Sequence, residues 1–532
     1  MPGSTIAPST SVVGETGTNP VPAPINPFLA DSIVPIGHGN SAQTDSTPVA
    51  GPTGPSGELD ESRLTYQHLG PAHFGIAISP EYPDGRRVIW SNGRDRISKI
   101  DYETFEVLAE LPLEEPLQTA AEADGEIETL DTLEGRPLAD AAIAMAARYQ
   151  AGLAGAYYLL DVDNTLFVGG AESIIAYRDV DPEDPESPIE LRDEWVKPPE
   201  LTGAFVGANI TFDGRIVMVT DEGWIAVVSR DFSSYEAVAM EGSEAAAAHN
   251  QAMLDAGQRP GSASWVRNSI AVDEDGGIYV ASVDHMHKVV WDGTNLSTDE
   301  AGGAWVEPYL NGSTRGTGAT PSLTGFGDED RFVVITDGED LMNVVLFWRD
   351  EIPEGWEPPL GAPSERIAGQ LPADIGDRTA VQTEQSVVVG GYGAFVVNND
   401  PASIPEGYPN AGTGVLSGYA GADPAFTPLG IQKFEWDPEA DLFREAWVNT
   451  EISSANAVPI VSTATNLVYT VGARDGSWTL EAIDWDTGES AFHWISGSNR
   501  YNSVFSGINI DQDGRVVHTT AFGVVRYDGG PE

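Results

Sequence analysis

The chain has 532 residues, 41% of them hydrophobic, and carries 82 acidic against 27 basic side chains for a formal net charge of −55. A surface of that sign repels nucleic acid and anionic lipid, which need a basic face to displace counterions, and so argues against both as partners. With no cysteine in the sequence, disulfides, thiolate nucleophiles and Cys-ligated zinc are excluded.

Four of the bases are lysines, Lys99, Lys197, Lys288 and Lys433. Salt screens the self-repulsion of so many acids, so a saline setting is one reading of this composition. A soluble, arginine-biased protein with no salt requirement is the other. No apolar run approaches the roughly 18 residues of a membrane span. Met1 is not followed by the charged and apolar regions of a signal peptide. The expectation is a soluble protein, either cytoplasmic in a saline-adapted cell or exported with its leader removed.

Residues 1–62 are rich in Pro, Gly, Ser and Thr and lack periodicity, which predicts an extended arm. Within it, IVPIGHGNSAQTDSTPVAG (33–51) is more specific in character and reads as a segment that docks on the body or on a neighbouring copy, so a homo-oligomer joined through the arm is one expectation.

Residues 63–532 read as short β-runs that repeat. The clearest copies, 209–231, 268–292 and 508–528, each hold an apolar strand, an Asp/Gly turn suited to a tight hairpin, a Val/Ile-rich strand, a short loop and a third strand ending in Asp. Looser copies beginning at His73, Tyr157, Pro321, Gln385 and Pro459 make eight. A fourth strand follows most copies but not the last, and the isolated run Arg63–Gly70 is placed to supply it and close the ring. The predicted fold is all-β: a single closed β-propeller of eight blades, or seven if the copy at Tyr157 is not a blade. Three insertions, 114–154 with an Ala-rich helix over 139–154, 242–257 with a second helix, and the Gly/Pro/Tyr-rich 400–428, are predicted to project from one rim as a lid or a subunit contact.

In a propeller, the loops entering each innermost strand and those joining second to third strands share a rim where groups converge. The entries carry His73, Asn209, Arg267 with Asn268, Glu384 and Asn456. Asn near Gly also makes turns by bonding its own backbone. Glu384 is more informative, since RTAVQTEQSVVVGG (378–391) sets a carboxylate at the mouth of an apolar strand. In DHMHK (284–288), His285 and His287 are two apart and share a strand face, a spacing for a transition metal or general-base work, with an exposed loop as the plainer alternative. His38, His249 and His493 stand in no constellation.

One Glu among several Asn at strand entries resembles the calcium-binding propellers of the gluconolactonase and paraoxonase type, most of which have six blades. That resemblance implies Ca²⁺ held by Glu384, Asn209, Asn268 and Asn456 through oxygen alone, polarising a lactone or ester carbonyl, with His73 or His285 as base. Separately, AIDWDTGESAFHW (482–494) resembles the blade-docking phrase of quinoprotein propellers. It departs where Phe492 replaces a Trp, and the adjacent cysteines of alcohol-oxidising members are missing. Packing of Trp447 and Trp494 between neighbouring blades accounts for the same words without a cofactor.

The leading expectation is a metal-assisted enzyme hydrolysing a lactone or ester of a small neutral or cationic substrate at the channel rim, with His73, His285, Arg267 and Glu384 as the catalytic candidates. A non-catalytic binding or assembly propeller with a docking arm, a quinone-dependent dehydrogenase, and a polysaccharide lyase using His and Arg267 are the alternatives. Nucleophile-elbow, P-loop, dinucleotide and His-Glu-x-x-His motifs are absent.

Overall fold

A computed structural model describes residues 21–149, 157–257, 264–327, 330–376, 378–408, 413–455 and 457–531. The chain is a β-propeller. Its strands form eight sheets, and within most of them four consecutive strands lie side by side in chain order. In the first, Ile76–Ile78, Val88–Asn92, Arg96–Asp101 and Val107–Pro112 pair antiparallel from the inside outward. The copy at Tyr157 is a full sheet, built from Tyr158–Leu160, Leu166–Gly169, Ser173–Asp179 and Ile189–Val196. The first turn of these repeats follows from side-chain chemistry. The Asp161, Asp273 and Asp511 carboxylates each accept backbone N–H groups two and four residues on, which fixes the inner hairpin.

The last sheet contains three consecutive strands, and Leu64–His68 pairs antiparallel with Gly523–Tyr527 as its outer fourth. First and last sheets meet in an apolar layer of Ile76, Ile89, Val517 and Val524. Elsewhere, indoles tie sheets together. Trp291 donates to Asp213, Trp436 to Asp330, and Trp447 to the carbonyl of Trp485 at 2.9 Å. Trp447 lies flat over Gly488, whose φ is +73° and whose missing Cβ would come within 2.4 Å of the ring. Trp494 donates instead to the carbonyl of Pro55. These contacts give the Asp-x-x-Thr-Gly phrase a packing role at the blade junction.

The Pro/Gly-rich arm is extended, and it is laid across the body. Going round the sheets, the carbonyls of Val34, Pro35, Ser41, Ala42, Thr44 and Asp45 accept from the N–H groups of Ile78, Leu160, Val272, Leu323, Val389 and Val461 at 2.8–2.9 Å. Innermost strands have an open edge facing the channel, and this segment satisfies it. The arm then pairs Ser46–Thr47 with Val461–Ser462, crosses to the outer edge of the same sheet, and pairs Gly57–Glu58 with Trp494–Ile495. The described part of the arm is thus bound within its own chain.

Among the described residues, four α-helices lie in the insertions: α1 (Ala120–Thr132), α2 (Gly135–Tyr149), α3 (Ser243–Asp255) and α4 (Thr413–Ala420). A capping box between Thr119 and Glu122 starts α1. Helices α1, α2 and α4 pack through Ile127, Leu138, Met145, Leu416 and Tyr419 onto Val504 and Phe522, in the loops at one end of the last sheet. The Gly/Pro/Tyr-rich insertion therefore contains a helix that its composition did not announce. Among the described residues, no helix is long and apolar enough to cross a membrane.

Candidate active site

A cavity of about 680 Å³ is lined by residues in or just before the innermost strands of the eight sheets, namely Gly75, Tyr157, Ala208, Arg267, Thr320, Glu384, Val458 and Asn509. Gly414 and Val415 at the start of α4 cover part of it, and the arm segment supplies Ile36, Gly37, His38 and Gln43. The propeller's central space is thus lined at one end by the arm.

His38 and Asp45 form the most organised chemistry in this wall. Nδ1 of His38 lies 2.9 and 3.1 Å from the two carboxylate oxygens of Asp45, which is buried. Burial would lower the His38 pKa, but the charge and hydrogen bond of Asp45 outweigh it and hold the imidazole above its ordinary value. His38 lines the cavity with 12% of its side chain accessible, and among the described residues Asp45 is its side-chain partner. A carboxylate on Nδ1 fixes the tautomer and leaves Nε2 as the working nitrogen. The turn that joins the pair is strained: His38, Gln43 and Asp45 all have left-handed backbone, at φ +61°, +58° and +51°. Each such non-glycine residue costs on the order of 1 kcal/mol, which the surrounding hydrogen bonds offset. Gln43 helps, donating to the carbonyls of Gly37 and Asn40.

The predicted rim residues separate into groups. Arg267, Asn268 and Glu384 all line the cavity. Arg267 reaches Glu384 at 3.8 Å, and both Arg267 and Asn268 donate to the carbonyl of Thr317. Glu384 is exposed, and the side chain of Asn399 accepts from its backbone N–H. Asn209 is elsewhere in role: fully buried, it donates to the carbonyls of Ser41 and Ile270 and accepts from Ile210 N–H, so its amide welds arm to sheet. Asn456 lies outside the described residues.

His73 is buried with both ring nitrogens occupied, by Ser91 Oγ at 2.8 Å and the Leu69 carbonyl at 3.1 Å, and burial pushes its pKa down to about 4. It is not among the cavity-lining residues. His285 pairs with Asp284 at 3.0 Å, which raises its pKa, and lines a different cavity. Its neighbour His287 is buried against Trp265, bonds Ser282, and is pushed down to about 3 by burial.

The calcium set suggested by resemblance does not fit these residues. The Asn209 oxygen is committed to backbone, and the guanidinium of Arg267 stands where a cation at Glu384 would be repelled. Among the described residues, no three His, Asp or Glu side chains gather in a way that could hold a metal ion.

Sequence reasoning missed His38, because its partner is seven residues away around a turn that no spacing rule describes. The signal available was Gly37-His38-Gly39 inside an otherwise low-complexity arm, with Gly39 at φ +81°.

No family model matches the chain. A protein of Archaeoglobus fulgidus named "Uncharacterized protein" is 34% identical over 533 aligned positions, spanning 96% of this chain and 91% of its own. Among solved structures, similar folds include quinohemoprotein alcohol dehydrogenase ADHIIG from Pseudomonas putida HK5 (9% identity, 94% of this chain and 81% of that one, TM-score 0.47). Others are a streptogramin B lyase (10% identity, 87% and 96%, TM-score 0.37) and the C-terminal WD40 domain of Sif2 (8%, 87% and 99%, TM-score 0.43).

Proposed function

The chain belongs to one family with the Archaeoglobus fulgidus protein, and from that premise we propose that it is an enzyme acting on a small molecule in the central cavity by general-base catalysis from His38. The shared length exceeds residues 63–532 alone, so the family alignment runs into the arm that carries this histidine. The observation that carries the reading is the His38–Asp45 pair in the wall of a 680 Å³ cavity.

Hydrolysis of an ester or lactone is the reaction such a pair serves. Nε2 takes a proton from water as its oxygen attacks the carbonyl carbon, and Asp45 stabilises the imidazolium. The C–O bond to the leaving oxygen then breaks, and that oxygen receives the proton back from His38. Arg267 is the cavity residue suited to the developing oxyanion. No metal enters this scheme. Calcium remains testable by metal analysis of protein purified without chelators, and it is disfavoured by the donor set at Asn209 and Arg267.

The test is a panel of lactones and aryl esters assayed on the wild type and on His38→Gln. The expected result is turnover that drops at least about a hundredfold in the variant, the usual range for a lost general base, in a protein that still melts cooperatively above the assay temperature. Wild-type levels in His38→Gln would overturn the assignment. No turnover of any panel member by the wild type would move the reading to a binding propeller whose pocket is this same cavity.

Two further elements belong to the proposal. The eight sheets form eight blades of a closed ring, supported by Leu64–His68 on the last sheet and by the apolar layer joining last to first. The acidic surface suits a saline setting without nucleic-acid or membrane partners, supported by the burial of all four lysines. A melting temperature that is the same in about 0.1 and about 2 M salt, where screening lengths differ severalfold, would count against the saline part.

A further inference from the structure

We infer that Arg315 sets substrate specificity: its guanidinium takes the carboxylate of a substrate whose apolar part lies against Trp265 in an adjoining slot. This rests on the reading of the central cavity as the reaction site and adds the chemical class of what enters it.

Arg315 lines two cavities at once, the central one and a neighbouring space of about 820 Å³. The second is walled by Ala245 and Ala246 of α3, by Trp265, and by Val306 and Pro308. The seat of Trp265 is built from glycines, since a Cβ on Gly223 or Gly242 would come within 2.3 or 2.6 Å of its ring. The slot therefore offers a shaped apolar wall at Trp265 beside a guanidinium, with Glu241, His249, Asp284 and His285 also lining it.

The loop presenting Arg315 is tightly made. Ser313 N–H donates to the Gly338 carbonyl, Gly316 N–H to the Asn311 side chain, and Gly312 N–H to Glu339 at 2.6 Å. Thr314, a β-branched residue, is held at φ +64°, in the left-handed region. Gly316 packs so closely that a Cβ there would meet Val283 backbone at 2.7 Å.

The charge of Arg315 is also uncommitted. Most arginines of this acidic chain are ion-paired, as Arg230, Arg474 and Arg515 illustrate. The guanidinium of Arg315 has no hydrogen bond or ion pair to the described residues, although it is exposed and the chain holds 82 acids. The carboxylates nearest these cavities are largely spoken for. Glu384 faces Arg267, Asp284 and Glu241 act on His285, and Asp400, in the wall of the central cavity, feels both Arg315 and Arg378 without bonding either. Net charge had pointed to a neutral or cationic substrate. Over the few ångströms of a binding contact the local guanidinium outweighs a distant, screened surface field.

The experiment is calorimetric titration with three probes that share a ring and differ in charge: phenylacetate, benzyl alcohol and benzylamine. The wild type is expected to bind phenylacetate best. Arg315→Gln should weaken that binding roughly tenfold or more, the worth of charge-assisted hydrogen bonds, and Arg315→Lys should recover part of it. Equal affinity in Arg315→Gln, preference for benzylamine, or no binding of phenylacetate by the wild type would overturn the inference. Arg315-dependent binding together with full hydrolysis by His38→Gln would sink the general-base reading and leave this one standing.

Discussion

Asn209→Asp separates two opposed readings of one side chain. As a weld, Asn209 gives both Nδ2 protons away, to Ser41 O at 2.9 Å and Ile270 O at 2.8 Å, with no exposed surface around it. Aspartate keeps the shape and turns that double donor into an acceptor, so the Ile270 carbonyl loses this donor, the Ser41 carbonyl keeps only the Val272 N–H, and both face an oxygen. A buried acceptor stripped of its donor costs about 1–3 kcal/mol, and the carbonyl that stays bonded adds little to that. Burial would drive the new carboxyl to its protonated form, which restores one donation and places the expected loss in the lower half of that range. As a calcium ligand, the same substitution would add charge to the site and strengthen it. Urea unfolding followed by tryptophan fluorescence at one fixed salt concentration, with calcium or chelator added, distinguishes the two. A midpoint equal to wild type that climbs with calcium would refute the packing argument.

Rate against pH should rise along a limb set by His38 and lying above its ordinary 6.5, and Asp45→Asn should move that limb down because burial then acts unopposed. Stability carries the opposite sign. A histidine whose folded pKa is raised stabilises fully below the unfolded value and loses that contribution as pH climbs through the folded one, so the urea midpoint of wild type relative to His38→Gln should shrink as pH rises past the ordinary 6.5 and through the raised folded value. Gly488→Ala should cost about 1–3 kcal/mol in the same unfolding assay, from a left-handed alanine pressed on the Trp447 ring, and an unchanged midpoint would deny that contact its role. Amine acylation of native protein, read by mass spectrometry, should spare Lys99, Lys197, Lys288 and Lys433, which are all buried, and modify them only after unfolding.

The repeat, the strand order inside each sheet and the helix of 243–255 were legible because they depend on local rules. Apolar runs alternate with Asp/Gly turns whose geometry a few residues specify, and a last repeat short of one strand points to its donor at Arg63–Gly70. Even the weak copy at Tyr157 met those rules and formed its sheet. The docking phrase near Trp494 was legible as a phrase, while its meaning as indole packing over Gly488 needed the neighbouring blade. What sequence could not convey was where the arm goes. Its low-complexity text carries no periodicity, because its partners are the open edges of innermost strands spread over hundreds of residues, and its hydrogen bonds use backbone carbonyls that any side chain would offer. Tertiary structure alone decided that Asn209 faces a carbonyl pair, that His73 is spent on Ser91 and Leu69, and that His38 meets Asp45 beside the cavity. Local chemistry determined which segments become strands; the convergence of side chains from distant strands on one space is a property of the assembled sheets, and only the folded chain contains it.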